Sequence, residues 1–257
     1  MRAMAALLAV ALSLCPLASR CRASSMHLAD DHEIGLGAMI GGLTGNLSGF
    51  TPGVGTFDDT RTNQYALILS VPIASTNLDV DVRHLQNTTI SRGNFSFDGG
   101  LFPTGANVDL QLTMVELIWR LHLLERRAMR LCLLGGGRVI GARIKASTTT
   151  HSVLYDEGHV LPEVGATLEA RLYPRARLYG LIKWFDLTSQ QDGSHTLEIE
   201  SGLTYCVPAP NDSYIGWRLT GGFRYLNLQF TNRVGQPDQV QYDVSTTGPF
   251  IEATRIF

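Results

Sequence analysis

Four histidines in this chain, His84, His151, His159 and His195, are candidates for chemistry. His195 stands beside Ser194 and Thr196, near Asp186 and Asp192, and six residues before Ser201. An imidazole, a hydroxyl and a carboxylate brought together make a general-base site that could drive hydrolysis. The spacing works against that arrangement. In an extended chain Ser201 lies about 20 Å from His195, and Ser194 points to the opposite face. His84 has no comparable companions. His151, Asp156, Glu157 and His159 fall close together in a stretch expected to form one exposed loop. Imidazole and carboxylate ligands at such spacing could hold a divalent ion, but no fixed ligand motif is matched and no metal or other cofactor is expected. Gly135-Gly136-Gly137 lacks the Lys-Ser/Thr that completes a phosphate-binding loop. It reads instead as a bulge or bend in a strand. The expected catalytic set is therefore empty, and the chain is expected not to be an enzyme.

The elements that carry these residues are strands. Leu197, Ile199, Leu203 and Tyr205 alternate with Thr196, Glu198, Glu200 and Thr204. The next segment repeats the pattern, with Ile215, Trp217, Leu219 and Phe223 opposed to Arg218, Thr220 and Arg224. The same period of two runs through Val164–Leu172, Leu78–Arg83 and Val108–Met114. Helices place apolar residues at spacings of three and four, so strands with one apolar and one polar face are predicted. Apparent shifts of phase occur at Met114/Val115 and at the glycine triplet.

Short connectors at 72–76, 125–128, 174–176 and 208–213 take turns with long ones at 44–60, 87–105, 147–158, 188–194 and 231–243. Tight turns at one end and long loops at the other are the plan of outer-membrane barrels. The expectation is an all-β chain: one closed antiparallel transmembrane β-barrel of about ten strands, with eight as the alternative count.

The two ends fit an exported protein. Met1-Arg2-Ala3, the apolar run Ala5–Leu14, and small residues with arginines up to Ala23 form a three-part signal peptide. Residues 1–23 are expected to be removed, leaving residues 24–257 as the barrel domain. No later apolar stretch reaches the roughly 18 residues of a transmembrane helix. Formal net charge is −2, so no basic excess points to nucleic acid. Cys132 and Cys206 remain after cleavage, and an exported setting would permit a bond between them.

In a membrane barrel the apolar face meets lipid and the polar face lines the lumen. The expected lumen residues are Asp79, Asp81, Arg83, Asp109, Glu169, Arg171, Lys183, Glu198, Glu200, Arg218 and Arg224. Leu197, Ile199, Leu203, Trp217, Leu219 and Phe223 are expected to face outer-membrane lipid. Tyr65, Trp119, Tyr173, Trp184, Tyr205 and Tyr214 sit near strand ends, where interfacial girdles lie. Mixed charge lets Glu198 and Glu200 pair with Arg218 and Arg224 on the following strand, and a lumen so filled would conduct little.

The late segments GWRLTGGFRYLNLQF and TTGPFIEATRIF, together with the signal peptide, resemble a group of small proteobacterial outer-membrane barrel proteins without an assigned activity. The resemblance covers about Leu178–Phe257. It implies a place in the outer membrane and a C-terminal strand ending at Phe257 that the barrel-assembly machinery reads. Arg255 departs from the apolar residue usual on that face. Function is thus expected to be structural, or that of a narrow small-molecule channel. A barrel-embedded lipid- or peptide-processing hydrolase with His195 at its rim is one alternative. A secreted soluble barrel binding an apolar ligand is the other.

Overall fold

The computed structural model describes residues 34–48, 57–73, 76–91, 94–97, 100–126, 128–173, 175–188, 193–207, 216–232 and 240–256. The expected signal peptide, Tyr214, Asp192 and Phe257 lie outside them.

Among the described residues twelve strands form. They are β1 (Gly35–Ser48), β2 (Phe57–Ile73), β3 (Thr76–Ile90), β4 (Phe95–Phe97), β5 (Gly100–Phe102) and β6 (Asn107–Arg126), then β7 (Met129–Ser147), β8 (Ser152–Tyr173), β9 (Ala176–Thr188), β10 (Gly193–Val207), β11 (Gly216–Asn232) and β12 (Val240–Ile256). Ten of them close into one barrel in the order β1-β12-β11-β10-β9-β8-β7-β6-β3-β2. Every pairing is antiparallel, including the β1–β12 seam that removes the free edge. The ten-strand count of the sequence reading therefore stands.

The remaining two strands make a small hairpin between β3 and β6. It ends in a turn in which the Ala106 amide donates to the Pro103 carbonyl at 3.2 Å. Gly105 takes the third position of that turn with φ +89°, a conformation glycine adopts without a Cβ penalty. The hairpin carries Phe102, fully buried, into the barrel opening at the loop end.

Two expectations about local structure change. The stretch 147–158 is not a long loop, because β7 runs to Ser147 and β8 begins at Ser152. Nor does the glycine triplet form a bulge, since Gly135, Gly136 and Gly137 pair in unbroken register with Trp119, Ile118 and Leu117. The irregularity on that ladder lies at His122/Leu124. Gly136 has a different reason to be glycine: a Cβ there would meet the Leu117 carbonyl oxygen at 2.0 Å. The two backbones approach too closely for a side chain.

The supposed phase shift at Met114/Val115 is also absent. Burial alternates without a break along β6, with Val108, Leu110, Leu112, Met114, Glu116 and Ile118 all inward. What changes is the chemistry of each face. Toward the loops the inner face is apolar and the outer face polar; toward the turns the outer face becomes apolar.

The outer belt is continuous around the barrel. Val160 is 77% exposed and Phe223 65%, and Leu117, Leu133, Leu168, Ile182, Leu203 and Leu219 stand out beside them. Trp119, Tyr173, Tyr205 and Trp217 ring the turn end, while Tyr65, Trp184 and Tyr225 ring the other side. Trp217 and Tyr225 are eight residues apart, about 26 Å along the strand at 3.3 Å per residue. At a strand tilt of about 40° this spans roughly 20 Å along the barrel axis, somewhat less than the apolar band of about 25 Å of a lipid-embedded barrel.

Candidate functional site

The most distinctive chemistry of the molecule lies inside the barrel. At one level the inner face of six strands passes from charged to apolar within two residues. The steps are Arg83 to Leu85, Glu116 to Met114, Arg138 to Ile140, Glu163 to Leu161, Lys183 to Phe185 and Arg224 to Leu226. Side chains of period two put these pairs on the same face. Together they divide the lumen into a largely apolar upper half and an ionic middle layer.

The upper half is a packed core. Leu85, Leu110, Leu112, Met114, Ile144, Leu226, Leu228 and Phe230 belong to one cluster, which Phe102 closes from above. This is how a soluble barrel is built: where water bathes the outside of the wall, apolar faces must turn inward. Asp109 was expected in the lumen, and the structure corrects this. Its neighbours Val108 and Leu110 are buried inward, so Asp109 lies on the outer face above the belt.

Beneath the plug, Glu198 is the hub of the ionic layer. Only 1% exposed, it meets the guanidiniums of Arg83, Arg138 and Arg224 and the ammonium of Lys183. Arg138 is completely buried. Its Nη2 reaches Glu116 at 2.5 Å, Glu198 at 2.5 Å and Glu163 at 2.8 Å. Arg83 also holds Asp81 at 2.5 Å, Lys183 binds Glu116, and Arg224 binds Glu200, whose other oxygen accepts from the Tyr179 hydroxyl. Charges withdrawn from water this far are tolerable only when paired and hydrogen-bonded.

Other expected lumen residues fall below this layer. Asp79 pairs with Arg120 at 2.6 Å, and Glu169 with Arg177 at 2.5 Å. Arg218 and Arg171 line the space nearer the turns. The expected pairing of Glu198 and Glu200 with the next strand involves Arg224 but not Arg218, which lies opposite Cys206. Leu197, Ile199, Leu203, Trp217, Leu219 and Phe223 occupy the outer face. Arg255 also points outward, with its guanidinium 5.6 Å from the Trp217 ring centre.

Glu116, Arg138, Glu163, Arg120 and Arg177 did not emerge from the sequence reading. For the β6 pair, the signal was available. Glu116 and Arg120 share the parity of Leu112 and Met114, and an unbroken period through β6 brings them inward. The apparent change of phase was in fact a change of environment.

The histidines are scattered. His195 lies on the outer face opposite Asp186 and Gln229, with Ser194 pointing the other way. His159 and Glu157 turn into the barrel, where His159 stacks on Phe230 at 4.7 Å. Asp156 instead pairs outside with Arg143 at 2.6 Å, and His151 lies against Phe102. The four residues first considered as a metal set are thus split between two faces and a turn. Among the described residues no group of three or more His, Cys, Asp or Glu side chains could hold a metal ion. Cys132 and Cys206 are not disulfide-bonded.

The fold aligns with the outer membrane protease OmpT from Escherichia coli at a TM-score of 0.53, covering 91% of this chain and 100% of that one at 11% identity. The fold is that of an outer-membrane β-barrel. The translocator domain of the autotransporter NalP from Neisseria meningitidis aligns at 0.47 with 12% identity, over 98% of this chain and 96% of that one. The transport unit of the autotransporter AIDA-I from Escherichia coli aligns at 0.43 with 10% identity, over 94% of each. No protein-family profile and no curated protein matches the chain. At these identities the likeness concerns architecture alone.

Proposed function

We propose that this chain is a closed, non-enzymatic outer-membrane barrel: a structural element of the envelope that passes no solute through its lumen. One observation carries the reading. Arg138, fully buried, ties Glu116 and Glu163 on the two adjoining strands to Glu198 on β10, and Glu198 is also bound by Arg83 from β3, five strands round the ring, all directly beneath an apolar plug. A water-filled path would have to break both layers, and removing one partner from such a network costs about 3–5 kcal/mol. The apolar belt and its two aromatic rings support a wall set in lipid. By the usual plan of these barrels, the turns then face the periplasm and the loops the exterior.

A non-catalytic role is supported by the scattering of the histidines: His195 has Asp186 opposite it, but its neighbouring serine faces away. The test is to separate the membranes of an expressing Gram-negative host and compare gel mobility with and without heating. Outer-membrane protein with heat-dependent mobility is expected. Soluble protein without a heat shift would overturn the reading and favour a secreted barrel.

A further inference from the structure

Between the ionic layer and the turns the lumen opens into a cavity of about 130 Å³. A smaller pocket of about 30 Å³ adjoins it and shares Arg130, Glu169 and Arg177. The two have a biased lining toward the turn end. Arg120, Arg126, Arg130, Arg171, Arg177 and Arg218 contribute guanidiniums there, against the carboxylates of Asp79, Glu125, Glu169 and Glu252. Three of those carboxylates are already engaged by arginines, in the pairs Arg120–Asp79, Arg130–Glu125 and Arg177–Glu169. Glu252 accepts from the Thr254 hydroxyl at 2.7 Å. Arg218 is different. Among the described residues it has no carboxylate within ion-pair reach, yet it is half-buried in the cavity wall.

We propose that this vestibule is a binding site for a small phosphate- or carboxylate-bearing anion entering from the turn end, with Arg218 as its principal contact. A guanidinium presents a planar fork of donors that matches either group in two-point fashion. The low-dielectric wall and the excess of cations concentrate field in the cleft, which attracts anions and repels cations. The ionic layer forms its floor. The site stands whether or not the lumen conducts.

Cys206 offers a reporter. It lies directly opposite Arg218 on the adjacent strand and lines the same cavity, so the two Cβ atoms are about 5 Å apart. Folded protein would be treated with a sulfonate-bearing and a trimethylammonium-bearing methanethiosulfonate. Labelling at Cys206 is read by peptide mass mapping and normalised to each reagent's rate with a free thiol. The anionic reagent is expected to be favoured at Cys206. Arg218→Gln should reduce that preference about threefold or more, as loss of one nearby charge requires, while Arg218→Lys retains it. Inorganic phosphate should slow anionic labelling saturably in the wild type and not in Arg218→Gln, relative to chloride at matched ionic strength. Heat-dependent mobility confirms that each variant is folded. A preference unchanged by Arg218→Gln, a phosphate effect equal to that of chloride, or a Cys206 that neither reagent reaches would each overturn the proposal.

Discussion

Arg138 on β7 donates across the barrel interior to Glu198 on β10, Nη2 to Oε2 at 2.5 Å, although sixty residues and two intervening strands separate them. This bond ties together walls three strands apart in the ring at the level where the interior changes from ionic to apolar. Substitution of Arg138 by Met leaves Glu116, Glu163 and Glu198 without their shared cation. Loss of about 3–5 kcal/mol is expected, read by urea unfolding of the lipid-folded barrel. Glu198→Gln should be destabilising in the same direction, because four cations converge on that carboxylate.

The outward placement of Asp109 and inward placement of Leu112 give a paired test. Asp109→Lys should change stability by no more than about 0.5 kcal/mol, as for other water-facing sites. Leu112, fully buried in the plug, should cost about 2–5 kcal/mol when cut to Ala. The same unfolding measurement checks both. Equal effects would mean that the inner and outer faces of upper β6 have been interchanged.

Much of this was legible from period two alone. The number of barrel strands, the short connections after Ile73, Arg126 and Tyr173, and the outward apolar face of β10 and β11 all follow from alternation and turn residues. Alternation gives no information about which face is wet. Polarity of the inner face was inferred from the belt and carried upward, where it reverses: Val108 and Leu110 turn inward because water replaces lipid outside. Asp109 was misplaced for that reason. Glu163 was hidden differently, since 147–158 reads as a loop and the alternation is clear only from Val164, while the chain remains strand from Ser152 to Tyr173.

The glycine triplet separates two mechanisms. Gly136→Ala should block folding or assembly, because the added Cβ meets the Leu117 carbonyl at 2.0 Å and the Ile118 Cα at 3.0 Å. Gly135→Ala has no heavy atom within 4 Å of the new carbon and should fold normally. The fraction of protein with heat-dependent mobility distinguishes them.

The belt predicts a depth dependence. Phe223 is on the outer face between the two aromatic rings, so if that belt is embedded in lipid Phe223→Arg should destabilise by about 2–4 kcal/mol. Thr113→Arg, on the outer face above the belt, should be close to neutral. Vesicle unfolding titrations of the two variants provide the comparison.

Planar-bilayer recording of the purified barrel tests the closed lumen most directly, with insertion verified by heat-dependent mobility of protein recovered from the same vesicles. No stepwise current is expected from the wild type at voltages that leave the bilayer intact. A steady, ohmic conductance from each inserted molecule would contradict the closed lumen.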